Sequence, residues 1–198
     1  MRVLKPILFA ALFSFLFISC KKDKNIEPIQ KTIISYNNIK IGNQNNQLGC
    51  FINLSTGKVY QFDEAFEKQN EIDLIFLHDF AYGALISPAW VYNNYPSSSV
   101  FLNPGTGVKF WNALRTTDLD ICESSVPNDF TSVLNFTQLE TLYNQCGMVM
   151  GVAEHDVKKD QIIRFKTADN KIGVIKINKV QGNENIDGFI ELEIKIQK

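Results

Sequence analysis

The chain of 198 residues has few of the residue types that carry metal or nucleophile chemistry. It contains two histidines and four cysteines, and no two cysteines have the C-x-x-C spacing that is typical of zinc sites. Its formal net charge is −1, which argues against a general nucleic-acid binder because neutralising phosphates requires a clear excess of Lys and Arg. We therefore expect no metal, no other cofactor and no nucleic-acid partner.

The composition is otherwise that of a folded globular protein. Hydrophobic residues make up 45% and charged residues 21% of the chain, and 15 Phe, 6 Tyr and 2 Trp are enough large side chains to fill a core. A chain of this length usually forms one domain. We expect a single domain over residues 31–198.

The apolar run near the start is too short to span a membrane. Twelve residues, from Ile7 to Ile18, follow a basic start that contains Arg2 and Lys5. As a helix they rise only about 18 Å, whereas a hydrocarbon core is about 30 Å thick. A basic start, a short apolar run and a small residue at its end are typical of a secretory signal, which we predict over residues 1–19.

The apolar run ends at a lone cysteine. The stretch "FISC" at 17–20 resembles a bacterial lipobox, in which cleavage precedes a cysteine that is then lipidated. A plain signal peptide that contains a cysteine by chance is the alternative. Acyl chains on Cys20 would anchor the protein, each buried methylene contributing about 0.8 kcal/mol. Residues 20–30, "CKKDKNIEPIQ", are then the lipidated cysteine and a flexible tether.

The tether also bears on location. "CKKDKN" resembles the Lys/Asp-rich tether of lipoproteins from Bacteroidetes, in which an acid near the lipidated cysteine is linked with display on the outer face of the cell. Asp23 is the only acid among three lysines here. We expect a lipid anchor in the outer membrane of a bacterial envelope, with the cell surface and the periplasmic face both open.

Hydrophobic patterning predicts an α+β domain. "IDLIFL" (72–77) is typical of a central strand buried on both faces. A short helix is predicted over 64–70, capped by Asp63, and a longer one in the second half of 129–147, with a capping box at 137–140.

The last fifty residues give the clearest pattern. Three strands, at 161–167, 171–180 and 188–198, form an antiparallel meander, and a tight turn with Asn170 at positive φ joins the first two. The last strand alternates strictly, so its isoleucines and Leu192 should face the core while Glu191, Glu193 and Lys195 face water. The predicted class is α+β, mainly an antiparallel sheet with this C-terminal three-stranded meander and one or two covering helices.

Four segments together resemble a known group of proteins. "LGCFINLSTGKVYQFDEA", "IDLIFL", "LISPA" and "IIRFKTADNKIGVIKINKV" resemble segments of uncharacterised exported lipoproteins from Bacteroidetes bacteria. The resemblance covers roughly residues 47–198 and implies an adhesion-like exported domain. It implies no catalytic residue.

Three cysteines remain beyond Cys20. In an oxidising envelope they allow one disulfide and one free thiol. Cys122 lies in a predicted loop and Cys146 at a helix end, so this pair is favoured over a pairing with Cys50. Three unpaired thiols are the alternative.

The segment at 87–114 has the composition of a binding surface. It holds both tryptophans and two tyrosines, which are the candidate ligand-binding residues Trp90, Tyr92, Tyr95 and Trp111. Flat aromatic faces beside amides and hydroxyls suit carbohydrate rings and equally suit protein contacts. The alternative is that these aromatics fill the core beneath long loops.

Two His-Asp pairs are the remaining chemical candidates. His78-Asp79 and His155-Asp156 each place an imidazole beside a carboxylate, as in metal ligation or general-base catalysis. Cys146 with the second pair is a conceivable nucleophile arrangement. Neighbouring residues of an extended chain point to opposite faces, so solvated loop edges are the simpler interpretation.

These observations favour a non-catalytic, lipid-anchored binding or adhesion module for a glycan or a protein. A hydrolase that uses the two His-Asp pairs is the first alternative. A structural accessory of an envelope complex is the second, and an exposed apolar patch of several hundred Å² would favour it.

Overall fold

Nine strands form two antiparallel sheets in the computed structural model, which describes residues 31–79, 82–122, 130–146, 157–182 and 188–198. The strands are β1 Ile33–Gly42, β2 Phe51–Asn53, β3 Lys58–Tyr60, β4 Leu74–Asp79, β5 Tyr82–Ile86, β6 Asp118–Ile121, β7 Ile162–Lys166, β8 Ile172–Gln181 and β9 Phe189–Gln197. The helices are α1 Phe62–Glu67, α2 Pro88–Asn94, α3 Ser99–Leu102 and α4 Phe136–Gln145, with 3₁₀ turns at Val108–Phe110 and Phe130–Ser132. Within these ranges no helix is both long and apolar enough to cross a membrane.

Every strand pairing is antiparallel. One sheet has the order β1-β9-β8-β7-β6 and the other has the order β3-β2-β4-β5. The predicted α+β class is confirmed, and β7, β8 and β9 form the predicted C-terminal meander. The sequence did not predict the division into two sheets, because the residue pattern of a strand does not identify the strand with which it pairs.

The main core lies between the two sheets. It is built from one face of each sheet, and its larger members include Ile52, Leu74, Phe76 and Leu85 from the four-stranded sheet and Ile163, Phe165, Ile175, Leu192 and Ile194 from the other. Along β4 the residues alternate, so that Leu74 and Phe76 enter this core while Ile75 and Leu77 face the opposite side. As predicted, this strand is buried on both faces.

Helices cover the outer face of each sheet. Against the four-stranded sheet, a second core combines Phe51 and Ile75 with Ala65 of α1, Val91 of α2 and Val100 of α3. Against the five-stranded sheet, α4 contributes Leu139 and Leu142 to a third core, together with Phe130 and Val174. Residues 31–198 form one compact unit.

The outer face of β9 is not solvated along its whole length, which corrects the prediction for Lys195. This residue is only 7% exposed. Its Nζ donates a hydrogen bond to the Val133 carbonyl at 2.7 Å and lies 4.9 Å from the centre of the Phe130 ring. Burial lowers the pKa of Lys195. The segment that leads into α4 passes over this part of the strand and removes it from water.

Local capping differs from the prediction at both helices. The N-cap of α1 is Gln61, which makes no capping hydrogen bond through its side chain, so Asp63 lies inside the first turn. The N-cap of α4 is Asn135, whose side chain accepts from the Gln138 backbone N–H at 3.0 Å. The predicted turn after β7 is confirmed, with Asn170 at φ 62°.

A single arginine ties the two sheets together. Arg115 lies 3.0 Å from the Asp73 carboxylate, which precedes β4, and 2.5 Å from that of Asp169, in the turn between β7 and β8. Burial raises the pKa of Asp73, although the Leu54 backbone N–H and Arg115 oppose that shift. The hydrogen bond from Arg115 lowers the pKa of the exposed Asp169.

Candidate functional site

A cleft of about 480 Å³ lies where α2, β6, β7 and α4 approach one another. Aromatic rings, charged groups and hydroxyls line it together: Ser87, Trp90, Thr116, Thr117, Asp118, Leu119, Asp120, Tyr143 and Arg164. Clefts of roughly 300–1,000 Å³ with a few convergent polar groups are the usual form of small-ligand sites. We define this set of residues as the Trp90 cleft.

Strands β6 and β7 supply an ion pair in the Trp90 cleft. Strand alternation sends Leu119 into the main core, which leaves Asp118 and Asp120 on the outer face. Arg164 lies opposite Asp120 in the β6–β7 register. Its Nε and Nη2 both donate to Asp120 Oδ2, at 2.9 and 2.6 Å. The two side chains are 14% and 23% exposed, so the pair is fixed at the wall of the cleft.

Tyr143 of α4 lies against the same arginine. The Arg164 Nη1 donates to the Tyr143 carbonyl at 3.3 Å, and its Cζ lies 5.1 Å from the centre of the Tyr143 ring. Burial raises the pKa of the Tyr143 hydroxyl, and the positive charge of Arg164 opposes this. One arginine therefore holds β6, β7 and α4 in a fixed relation.

A disulfide strengthens that relation. Cys122 directly follows β6, Cys146 is the C-cap of α4, and the two are bonded with a Cα–Cα distance of 4.5 Å. This is the pair that the sequence favours. The third cysteine, Cys50, is buried and free, and burial raises the pKa of its thiol.

Trp90 enters the cleft from the first turn of α2. Ser87 caps this helix by accepting the Trp90 backbone N–H at 3.4 Å, and Pro88 occupies the first turn, where its lack of an N–H costs nothing. The Ala89 N–H donates to the Arg115 carbonyl at 3.2 Å, which holds the start of α2 beside the segment that leads into β6. Trp90 is half-buried against the core under α2.

Thr117 is the most unusual polar residue of the cleft. It is 5% exposed, and its hydroxyl oxygen is buried with no hydrogen-bond partner among the residues that the structure describes. An unpartnered buried hydroxyl costs free energy, so such groups are rare in folded proteins and mark sites that call for explanation. Thr116, its neighbour in the cleft, is exposed.

Of the four predicted aromatic ligand-binding residues, Trp90 alone belongs to the cleft. Trp111 is 5% exposed, lies 5.4 Å from Phe51 between ring centres and donates its Nε1–H to the Thr106 carbonyl. This position in the core corrects the prediction for Trp111, because neither the ring nor its N–H faces solvent. Tyr95 is half-buried against the same core. Tyr92 is 42% exposed on the outer side of α2.

The His-Asp pairs lie mostly outside the part of the chain that the structure describes, so the hydrolase alternative stays a prediction. His78 is 6% exposed, and its Nδ1 has no partner among the described residues. The side chain of Asp79 lies outside the described residues, as do His155 and Asp156. Nowhere in the described ranges do three or more His, Cys, Asp or Glu residues form a group able to hold a metal ion.

Sequence patterns alone missed most of the cleft. Asp118-Leu119-Asp120-Ile121 has the alternation of a short strand with an acidic outer face, but four residues in a proline-rich region did not suffice to predict one. The spacing of Leu139, Leu142 and Tyr143 predicts one shared apolar face, but only the two leucines enter the third core, whereas Tyr143 lies against Arg164. Nothing in the sequence pairs Arg164 with Asp120. Cys20, the predicted lipidation site, lies outside the described residues.

Comparison with protein-family models, with curated proteins and with solved structures finds no match for this chain. The resemblance to Bacteroidetes lipoproteins therefore stays a prediction from sequence. Functional interpretation rests on the geometry of the Trp90 cleft.

Proposed function

We propose that this protein is a lipid-anchored, non-catalytic binding module of the bacterial envelope, and that it binds a carbohydrate in the Trp90 cleft. The lining of the cleft is the observation that carries this proposal. Two aromatic residues, two carboxylates, one arginine and three hydroxyl-bearing residues line a volume of about 480 Å³, which is the size of a small-ligand site.

The chemistry of the lining suits a sugar ring. A pyranose has an apolar C–H face that packs on an indole and hydroxyls at its rim that need donors and acceptors. Trp90 supplies the flat face. Asp118 and Asp120 supply acceptors that bind hydroxyl groups strongly, because hydrogen bonds to ionised acceptors are about twice as strong as neutral ones.

The cleft is also built to keep its shape. The Arg164 ion pair, the Tyr143 contact and the disulfide fix three of its walls. A fixed site loses little conformational entropy when a ligand binds, which favours affinity. Thr117 adds a hydroxyl that has no partner in the described chain, and rotation about its Cα–Cβ bond exchanges the positions of hydroxyl and methyl.

The test is a glycan-array screen of residues 21–198, which include the whole compact unit and the cleft. We expect binding that Trp90→Ala abolishes. Tyr92→Ala is the matched control, because it removes an aromatic ring from the same helix on the exposed side outside the cleft. Trp90→Leu keeps apolar packing while removing the flat ring and should also fail to bind.

Two outcomes would overturn the carbohydrate assignment. One is a folded wild-type chain, verified by circular dichroism, that binds no glycan. The other is binding that survives both Trp90 variants. The first result would shift the proposal to a protein ligand or to a structural role in an envelope complex, and the second would show that the glycan binds outside the Trp90 cleft.

The anchor has its own test. The proposal places acyl chains on Cys20 and the protein in the outer membrane. Growth with an alkyne-labelled fatty acid should label the wild-type chain in the membrane fraction and should not label Cys20→Ala. Protease treatment of intact cells then distinguishes display on the surface from display in the periplasm. Label retained by Cys20→Ala would remove the lipid-anchor part of the proposal.

A further inference from the structure

We propose that the Trp90 cleft selects neutral and amino sugars and rejects acidic ones, such as uronic, sialic or sulfated sugars. This inference rests on the proposed carbohydrate function and concerns the class of sugar. It follows from which charges in the cleft are already paired and which are open to a ligand.

Arg164, the cation that lines the cleft, is already bonded to other groups of the protein. Arg164 uses Nε and Nη2 on one oxygen of Asp120 and Nη1 on the Tyr143 carbonyl, and it lies over the Tyr143 ring. It is only 14% exposed. A ligand anion would have to compete with a bonded carboxylate at 2.6 Å for this guanidinium. Arg164 therefore organises the wall and does not provide an anion site.

Asp118 is the charge left open to the ligand. It lies at the start of β6, is exposed, and makes no ion pair with any residue that the structure describes. Lys166 lies opposite it in the strand register, is half-buried and does not line the cleft. The charged residues of the lining are thus two carboxylates and one arginine, a net charge of −1 that faces any bound molecule.

The consequence is a discrimination by charge. A sugar carboxylate or sulfate a few ångströms from Asp118 is repelled, whereas a protonated amino group at the same position is attracted. We expect an acidic sugar to bind at least about tenfold more weakly than its neutral counterpart. A tenfold change in affinity corresponds to about 1.4 kcal/mol, and two unit charges in contact near a protein surface interact by more than this energy. The preference should weaken as ionic strength rises.

The test uses residues 21–198 on an array that holds neutral, amino, uronic, sialylated and sulfated oligosaccharides, at low and at physiological salt. We expect binding to neutral or amino sugars, and at least about tenfold weaker binding to acidic ones. Asp118→Asn should weaken binding to amino sugars at least about tenfold more than binding to neutral sugars, because only the amino sugars also lose an attraction between opposite charges. Asp160→Asn is the matched control, because it removes the same charge from an exposed position outside the cleft.

The outcomes distinguish a failure of this inference from a failure of the carbohydrate function on which it rests. Preferential binding of acidic sugars through Trp90 would overturn the charge selection while supporting the carbohydrate site. Equal effects of Asp118→Asn and Asp160→Asn would also overturn it, because a general change of net charge would then suffice. The absence of any glycan binding would overturn both proposals.

Discussion

Replacing Thr117 by valine should stabilise the protein, although the substitution removes a polar group from a strand-flanking position. Thr117 is 5% exposed, and its hydroxyl oxygen has no partner in the described part of the chain. Valine has nearly the same shape and places a methyl group where the hydroxyl was. The folded state then no longer contains an unpaired buried hydroxyl at this position.

The size of the gain can be worked from these contacts. Leaving a buried hydroxyl unpaired costs about 1–3 kcal/mol, and the added methyl group contributes up to about 0.8 kcal/mol when it is buried. Imperfect packing in a fixed space offsets part of the sum. We expect a net increase of about 1–2 kcal/mol in the free energy of unfolding, which is about 2–8 °C in Tm at roughly 2–4 °C per kcal/mol for a domain of this size.

The assay is urea unfolding of residues 21–198 followed by circular dichroism, with the slope m compared between variants. Thr116→Val is the matched control, because Thr116 is adjacent and exposed. Its effect should lie within about 0.5 kcal/mol of zero. A loss of stability in Thr117→Val of more than about 0.5 kcal/mol would refute the reasoning and indicate that an ordered water satisfies the hydroxyl.

Three further predictions concern the disulfide, the link between the sheets and one glycine. Replacing both Cys122 and Cys146 by serine should lower the free energy of unfolding by about 2–4 kcal/mol, measured in urea; no change on reduction of the wild type would contradict this. Asp169→Asn should cost stability that is present above pH 3.8 and shrinks as the pH falls below it, because the folded-state pKa of Asp169 is lowered from 3.8. If the free energy of unfolding of wild type minus that of Asp169→Asn is constant from about pH 2 to about pH 7, the ion pair does not have this role. Gly173→Ala should lower the free energy of unfolding by about 1–3 kcal/mol or more, because its Cβ would lie 2.1 Å from Cζ of the buried Phe165 ring; a thermal melt within 2 °C or so of wild type would show that the ring can move.

Local sequence patterns predicted the elements that local chemistry controls. The C-terminal strands alternate with a period of two, and the turn between the first two contains an asparagine that tolerates positive φ. Leu139 and Leu142 of α4 share the apolar face that the spacing indicates. These features depend on residues within a few positions of each other, so a single segment carries the whole signal.

Tertiary contacts changed what individual residues of those elements do. The alternation of β9 placed Lys195 in water, and the segment before α4 buries it against Phe130 instead. The two tryptophans occur in similar sequence surroundings, yet Trp111 packs on Phe51 in the core and Trp90 lines a cleft. No local pattern predicts whether these side chains are buried or exposed, because each position depends on which distant segment of the chain packs against it.

The sequence by itself determined the α+β class, the strands of the meander and the pair of cysteines favoured for the disulfide, and it predicts a signal and an anchor at the start. Only the tertiary structure decided where a ligand could bind. The Trp90 cleft joins residues 87, 90, 116–120, 143 and 164, which come from segments separated by tens of residues and brought together by sheet pairing, by the Arg164 ion pair and by the disulfide. A site made from such distant segments leaves no continuous motif, because its chemistry exists only after the chain has folded.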